Sequence, residues 1–264
     1  MKKSFFITIF VLIIIILAFY YTDNLTIFFR QTESDLPRAV KYQKTDDNKE
    51  EQAVEKADSE EVITGADNTS ESVAEIQPDS LNLDVPFTSQ APWADWQMPF
   101  KEACEEAAIL MVHYYYQNKE LNKDAATDEI LAMVEWQAEK WSGHFDLTAA
   151  STTEMIKGYL GYKKVEIIDN PTIEQIKNLL NQKLPVIIPA AGRSLNNPYF
   201  KDPGPLYHML VIKGYTEDKF ITNEPGTKRG HNFLYDQIGL MEAIHDWQTN
   251  NILAGAKKAI VIYP

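Results

Sequence analysis

The sequence predicts an α+β domain over residues 81–264, with helices first and an antiparallel sheet after them. Three observations predict it. Apolar residues recur at helical spacing in the first half of this stretch, whereas short β-branched runs crowd the second half. No regular strand–helix–strand alternation links the two sets, which excludes a doubly wound parallel sheet. Composition also changes at Leu81, beyond which all five Trp residues lie. A region of this size is enough for one ordinary hydrophobic core.

The elements follow in order. Residues 82–88 read as a short extended segment and 89–100 as an aromatic loop with Trp93, Trp96 and Phe100. Ala103, Ala107, Leu110, Met111 and Tyr114 share one helical face, so a helix is expected over 102–117. A second helix is expected over 127–140. Ser151-x-x-Glu154 is a capping-box candidate for a third, ending near Gly158 or Gly161. Lys164 to Ile168 reads as a strand, and Thr172-x-x-Gln175 caps a fourth helix reaching Gln182. Pro185 to Pro189 is a strand. A Gly/Pro/Asn-rich loop over 190–206 follows it. Two strands over 207–215 and 219–223 are joined by Thr216-Glu217-Asp218, which is hairpin spacing. The remainder reads as a Gly/Pro loop over 224–231, a short strand at Phe233–Tyr235, a helix over 238–247 and a last strand over 257–263.

Ahead of this domain lie two segments of different physics. Phe5 to Tyr21 is a run of 17 residues broken only by Thr8, long enough to span a bilayer as a helix. Lys2 and Lys3 precede it, and Tyr20 and Tyr21 suit the interface. Residues 1–30 are therefore expected to be a cytoplasmic tip and a signal anchor, with the rest of the chain extracytoplasmic in a single-pass topology. A cleaved signal peptide is the rival, but Ala18 is followed by Phe19, Tyr20 and Tyr21 rather than by a small-residue cleavage site. Residues 31–80 hold 14 acidic and 5 basic side chains, with Tyr42 as their one aromatic residue. Such a segment buries too little apolar surface to offset its ordering entropy, and it reads as a disordered acidic linker. A solvated helix over 44–61 is the alternative.

Charge and cysteine content exclude several functions. The chain carries 38 acidic against 25 basic residues, a net −13, which is the wrong sign for a nucleic-acid binder. One cysteine rules out an internal disulfide framework and every Cys-rich zinc site. No cofactor or metal is expected. A metal hydrolase built on His144 and Asp146 lacks any recognisable ligand motif.

The chemistry-bearing residues cluster around that cysteine. Cys104 falls at the start of the first helix, where the dipole favours a thiolate, the nucleophilic form. Glu105 and Glu106 follow at once and oppose it, so a histidine partner is needed. A buried structural thiol among Ala103, Ala107 and Ala108 is the plainer reading. His208 opens an apolar strand beside the Gly/Pro loop, within reach of a groove. His113, His144, His231 and His245 sit in less suitable places. Asn223 and Glu224 end the neighbouring strand, where either could orient an imidazole, unless they serve only the turn. Gln90 precedes the cysteine and could donate an amide N–H to an oxyanion, with Gln97 as its competitor. Trp93 and Trp96 are candidates for a substrate groove or for core packing.

Four segments in this order resemble the peptidase C39-like cysteine peptidases, relatives of the bacteriocin-processing peptidases with a papain-like fold. They are Val85-Pro-Phe-Thr-Ser-Gln90, Cys104-Glu-Glu-Ala107, Gly204-Pro-Leu-Tyr-His208-Met-Leu-Val-Ile-Lys-Gly214-Tyr, and Asn223-Glu-Pro-Gly-Thr227 with Arg229-Gly230. The resemblance spans nearly all of 81–264. The resemblance implies Cys104 as nucleophile, His208 as general base and Gln90 as oxyanion donor. The family's third residue is typically an Asp before a Pro. Glu224 stands there, one methylene longer, and Asn223 is the alternative. Glu105 stands where the family often has Gly. The implied activity is peptide-bond hydrolysis on peptides or proteins, cell-wall peptides included. An inactive binding module of the same fold and a transglutaminase-like thiol acyltransferase are the rival expectations.

Overall fold

Residues 36–43, 78–143 and 146–264 are described in a computed structural model of the chain. The expected membrane segment, most of the expected linker and His144 lie outside them. Among the described residues no helix is long and apolar enough to cross a membrane.

The domain is α+β. Five α-helices, α1 (Cys104–Gln117), α2 (Lys123–Trp141), α3 (Ala149–Tyr159), α4 (Ile173–Asn181) and α5 (Gln237–Ala243), accompany one open sheet. Its strands are β1 (Ala39–Val40), β2 (Leu81–Leu83), β3 (Lys164–Asp169), β4 (Val186–Ala191), β5 (Tyr207–Tyr215), β6 (Lys219–Asn223), β7 (Phe233–Asp236) and β8 (Lys258–Tyr263). The order β1-β2-β5-β4-β8-β3 runs along the sheet, and β6 then β7 continue from β5 on its other edge. Every pairing among these strands is antiparallel except that of β1 with β2.

β1 lies inside the stretch expected to be linker. Asp84 N–H donates to Val40 O at 2.8 Å. Tyr42 then packs edge-on against Tyr115 and Tyr116 at 5.6 and 5.1 Å between ring centroids. The acidic composition of 31–80 hid a short fixed piece whose single aromatic side chain supplies the contact.

The core is built around β5, buried along its whole length, with β4 equally buried beside it. Such strands read as continuous apolar runs, because both faces are covered. α1 packs against β5 and is itself buried nearly all round, as a central helix is. Gly214 on β5 admits the chain of β2. A Cβ there would sit 2.3 Å from the Leu81 carbonyl oxygen. Beside it Lys213 is buried and donates to Asn82 Oδ1 and the Leu83 carbonyl, both at 2.8 Å. Burial pulls the amine's pKa down to about 8.

Helix starts differ from expectation where a cap was misassigned. α2 begins earlier because Asn122 accepts from Ala125 N–H. Thr148, not Ser151, caps α3, and its side chain accepts the Ser151 N–H. The capping box expected at Thr172 and Gln175 is present in full and opens α4. Each such cap contributes about 1 kcal/mol.

Candidate active site

Two elements deliver the reacting side chains. Cys104 is the first residue of α1. The residue before it, Ala103, has φ −109° and ψ 32°, and no side chain caps this end. The N–H groups of the first helical turn point toward this end of the helix, as suits an anion-binding position. His208 is the second residue of β5, opposite Ala190 of β4, whose short side chain leaves room for the imidazole. Both residues line one cleft of about 1130 Å³ between the loop 87–102 and the segments 199–208 and 226–228.

The histidine is held by a network. Its Nε2 bonds Glu224 Oε1, and both side chains are essentially inaccessible. The same Oε1 accepts the Gly226 N–H at 2.8 Å. Oε2 accepts the Tyr235 hydroxyl at 2.9 Å, and the Tyr235 oxygen accepts Asn197 Nδ2 at 2.8 Å. The carboxylate is thus fixed by two donors besides the imidazole, the Gly226 N–H and the Tyr235 hydroxyl, and the longer Glu side chain reaches its partner. Phe200 meets the imidazole edge-on at 5.3 Å. Gly226 passes close: a Cβ there would lie 3.0 Å from His208 Cε1 and 2.8 Å from Phe200 Cε1. With Nε2 committed to Glu224, Nδ1 is the nitrogen left for chemistry.

Asn223 does something else. Its amide donates to the carbonyls of Val85 and Pro86 at 3.0 and 3.1 Å. It pins the segment that leads to Gln90, and the structure gives the imidazole to Glu224 instead. The same clamp continues as Ser89 Oγ and Gln90 N–H both donate to Pro225 O.

Gln90 lines the cleft, but its amide is spent. Nε2 donates to the carbonyls of Phe100 and Lys101 at 3.0 and 2.8 Å, and Oε1 has no partner. Flipping the amide would set its oxygen against two carbonyls, so the orientation is fixed. An oxyanion donor at Gln90 requires release of one of these bonds.

The thiol is not in the form that its helix position alone favours. Cys104 Sγ donates to Glu105 Oε2 at 3.0 Å. Burial first, then the Glu105 carboxylate, Asp146 and Glu106 push its pKa well above the usual thiol value. Glu105 is buried too, and its own pKa is raised well above the carboxylate range by desolvation and by Glu106. Its Oε1 accepts the Leu147 N–H at 2.8 Å. Glu106 bonds Gln137 on α2.

Trp93 and Trp96 belong to the cleft rather than to the core. They are 60% and 39% exposed on its wall, and Lys123 Nζ sits 5.0 Å over the Trp93 ring. Asp146 also lines the cleft. Sequence reasoning missed Tyr235, Asn197 and Gly226 as supports of Glu224. It expected Glu105 to oppose the thiolate as a neighbouring charge but not to accept the thiol's hydrogen bond directly.

No curated protein matches the chain. Among solved structures, a candidate C39-like peptidase from Bacillus anthracis superposes with a TM-score of 0.48 at 15% identity, covering 71% of this chain and 98% of that one. The model of the Peptidase_C39 like family matches residues 82–251. That span takes in the loop of Gln90, the helix of Cys104, the strand of His208 and the turn of Glu224, and the chain belongs to the Peptidase_C39 like family.

Proposed function

We propose that the chain is a cysteine peptidase that hydrolyses amide bonds with Cys104 as nucleophile, His208 as general base and acid, and Glu224 as the group that orients His208. The observation that carries this is the His208–Glu224 pair, braced by Gly226 and Tyr235, opening on the same cleft as the chain's one thiol. In the reaction the thiol turns from Glu105 and gives its proton to His208 Nδ1 as sulfur adds to the carbonyl carbon. The backbone N–H groups at the start of α1 hold the oxyanion, with Gln90 as a second donor once it leaves a carbonyl. The C–N bond breaks and His208 returns the proton to the departing amine. Water, deprotonated by His208, then adds, the C–S bond breaks, and Cys104 regains its proton. Trp93 and Trp96 would contact the substrate chain. Peptides, proteins and cell-wall stem peptides are the substrate classes in view.

We place the domain outside the cell, held by the apolar run Phe5–Tyr21.

The test is hydrolysis of a mixed peptide library by the full chain in detergent, beside Cys104→Ser and His208→Ala. Activity lost in both supports the assignment, and full activity in Cys104→Ser overturns it. A second reading, a binding module without turnover, is favoured by one observation: the thiol is bonded to a carboxylate and not to the imidazole. It expects peptide binding that survives Cys104→Ser with no cleavage by the wild type. An acyltransferase would instead join an added amine to the acyl group.

A further inference from the structure

Resting on the assignment of Cys104 as nucleophile, we propose that Glu105 restrains it: the carboxylate holds the thiol proton and keeps the resting site in the thiol form until the thiol is turned toward His208. The geometry is specific. Glu105 Oε2 takes the Sγ–H bond while Oε1 is fixed by the Leu147 N–H. Leu147 is itself anchored, because its carbonyl accepts the Tyr207 hydroxyl at 2.7 Å. The next residue but one, Ala149, donates its N–H to Asp246 Oδ1 at 2.7 Å. Glu105 is 1% exposed, so its carboxylate cannot swing into solvent and leave the thiol alone.

The surroundings add to the same effect. Glu106 faces the pair from α1, Asp146 from the segment before α3, and Tyr207 and His208 from β5. Except for the imidazole, every one of these is neutral or negative, so a second negative charge on sulfur is opposed from each side. The imidazole's Nε2 faces away, toward Glu224. A thiolate at Cys104 therefore needs either a neutral Glu105 or a rotation of Sγ away from it. In both cases position 105 adds to the burial of the thiol and works against the helix dipole in setting how reactive the free enzyme is.

The test uses the fact that Cys104 is the chain's one cysteine, so alkylation of the full chain reports this thiol alone. Iodoacetamide rates are measured against pH for the wild type, Glu105→Gln and Glu106→Gln. Glutamine at 105 keeps an acceptor for Leu147 N–H and offers sulfur an N–H donor without the charge. The expected result is a wild-type inflection above the free-thiol value of ~8.5. Glu105→Gln should lower it by at least about one pH unit and speed alkylation at neutral pH roughly tenfold. Glu106→Gln, one residue further from sulfur, should do less. An unchanged or slower rate in Glu105→Gln overturns the proposal. So does a wild-type inflection at or below the free-thiol value, read from thiolate absorbance, which decides the matter even where the variant does not fold. Hydrolysis by Cys104→Ser is read separately. Its persistence would sink the nucleophile assignment and leave the alkylation result standing, whereas a failed alkylation shift with hydrolysis lost sinks only the restraint.

Discussion

Two buried glutamates flank the two reacting side chains, and they act in opposite directions. Glu224 meets a group whose charged form is positive, and Glu105 meets one whose charged form is negative. Burial strengthens both interactions, because charges are poorly screened away from water. At Glu224 the carboxylate is satisfied by the imidazole, the Gly226 N–H and the Tyr235 hydroxyl. It is placed to stabilise an imidazolium during proton transfer. At Glu105 the partners are a weak S–H donor and one backbone N–H, beside Glu106. Its charge is poorly compensated, so burial and Glu106 raise its pKa, and the thiol's rises through its own burial first and then through Glu105. The same residue type thus orients one half of the site and silences the other. The difference lies in the sign of the neighbour's charge and the number of donors each carboxylate receives.

The comparison breaks first at Glu224. Replacing it by Ala strips the imidazole of its orienting partner and leaves the Tyr235 hydroxyl without an acceptor. Peptide hydrolysis measured as kcat/KM should fall about 10³-fold, the scale of a lost acid–base function. A decrease of less than tenfold would remove Glu224 from the mechanism. Gly226→Ala comes next. Its Cβ would press on both His208 and Phe200. A displacement of the imidazole of this kind costs on the order of 10²-fold in kcat. Ordinary activity in this variant would show that the imidazole has room to move. Tyr235→Phe is milder. It removes one donor from Oε2 and leaves Asn197 without its acceptor. We expect a loss of about 1–2 kcal/mol in stability, from denaturant unfolding, and a decrease in kcat of up to roughly tenfold. A kcat equal to wild type would confine Tyr235 to packing.

How much of this was legible in the sequence follows from how local each signal was. Cys104, His208 and Glu224 could be placed because each sits in a short segment with its own pattern: a helix start, a strand start and a Pro-Gly turn. The hairpin of β5 and β6 was readable for the same reason, three turn residues between apolar runs. Tyr235 and Asn197 carry no such pattern. They lie 38 residues apart and meet only because β7 pairs with β6 and brings Tyr235 beside Glu224. Gln90 was found as a residue but not as a conformation, since the carbonyls of Phe100 and Lys101 that hold its amide belong to a loop without periodicity. Glu105 was adjacent to the thiol on paper, and its effect on the thiol was expected. That it binds sulfur directly depends on the anchored Leu147 N–H, 42 residues away. β1 was lost in the acidic composition around it.

The smallest expected effect on chemistry separates the two neighbours at the end of β6. Asn223 and Glu224 were equal candidates from sequence, and the structure gives them different partners. Asn223→Ala removes both bonds to the carbonyls of Val85 and Pro86, which are then left partly buried without a donor. Unfolding free energy should fall by about 1–3 kcal/mol. The pH dependence of kcat should stay where it is, because nothing in the His208–Glu224 pair has changed. KM is free to rise, since the clamp on Val85–Pro86 also sets the wall that carries Gln90 and Trp93. A shift of the pH profile in Asn223→Ala, with the protein still folded, would mean that Asn223 shares the imidazole during turnover. Glu224 would then be one of two orienting groups rather than the one.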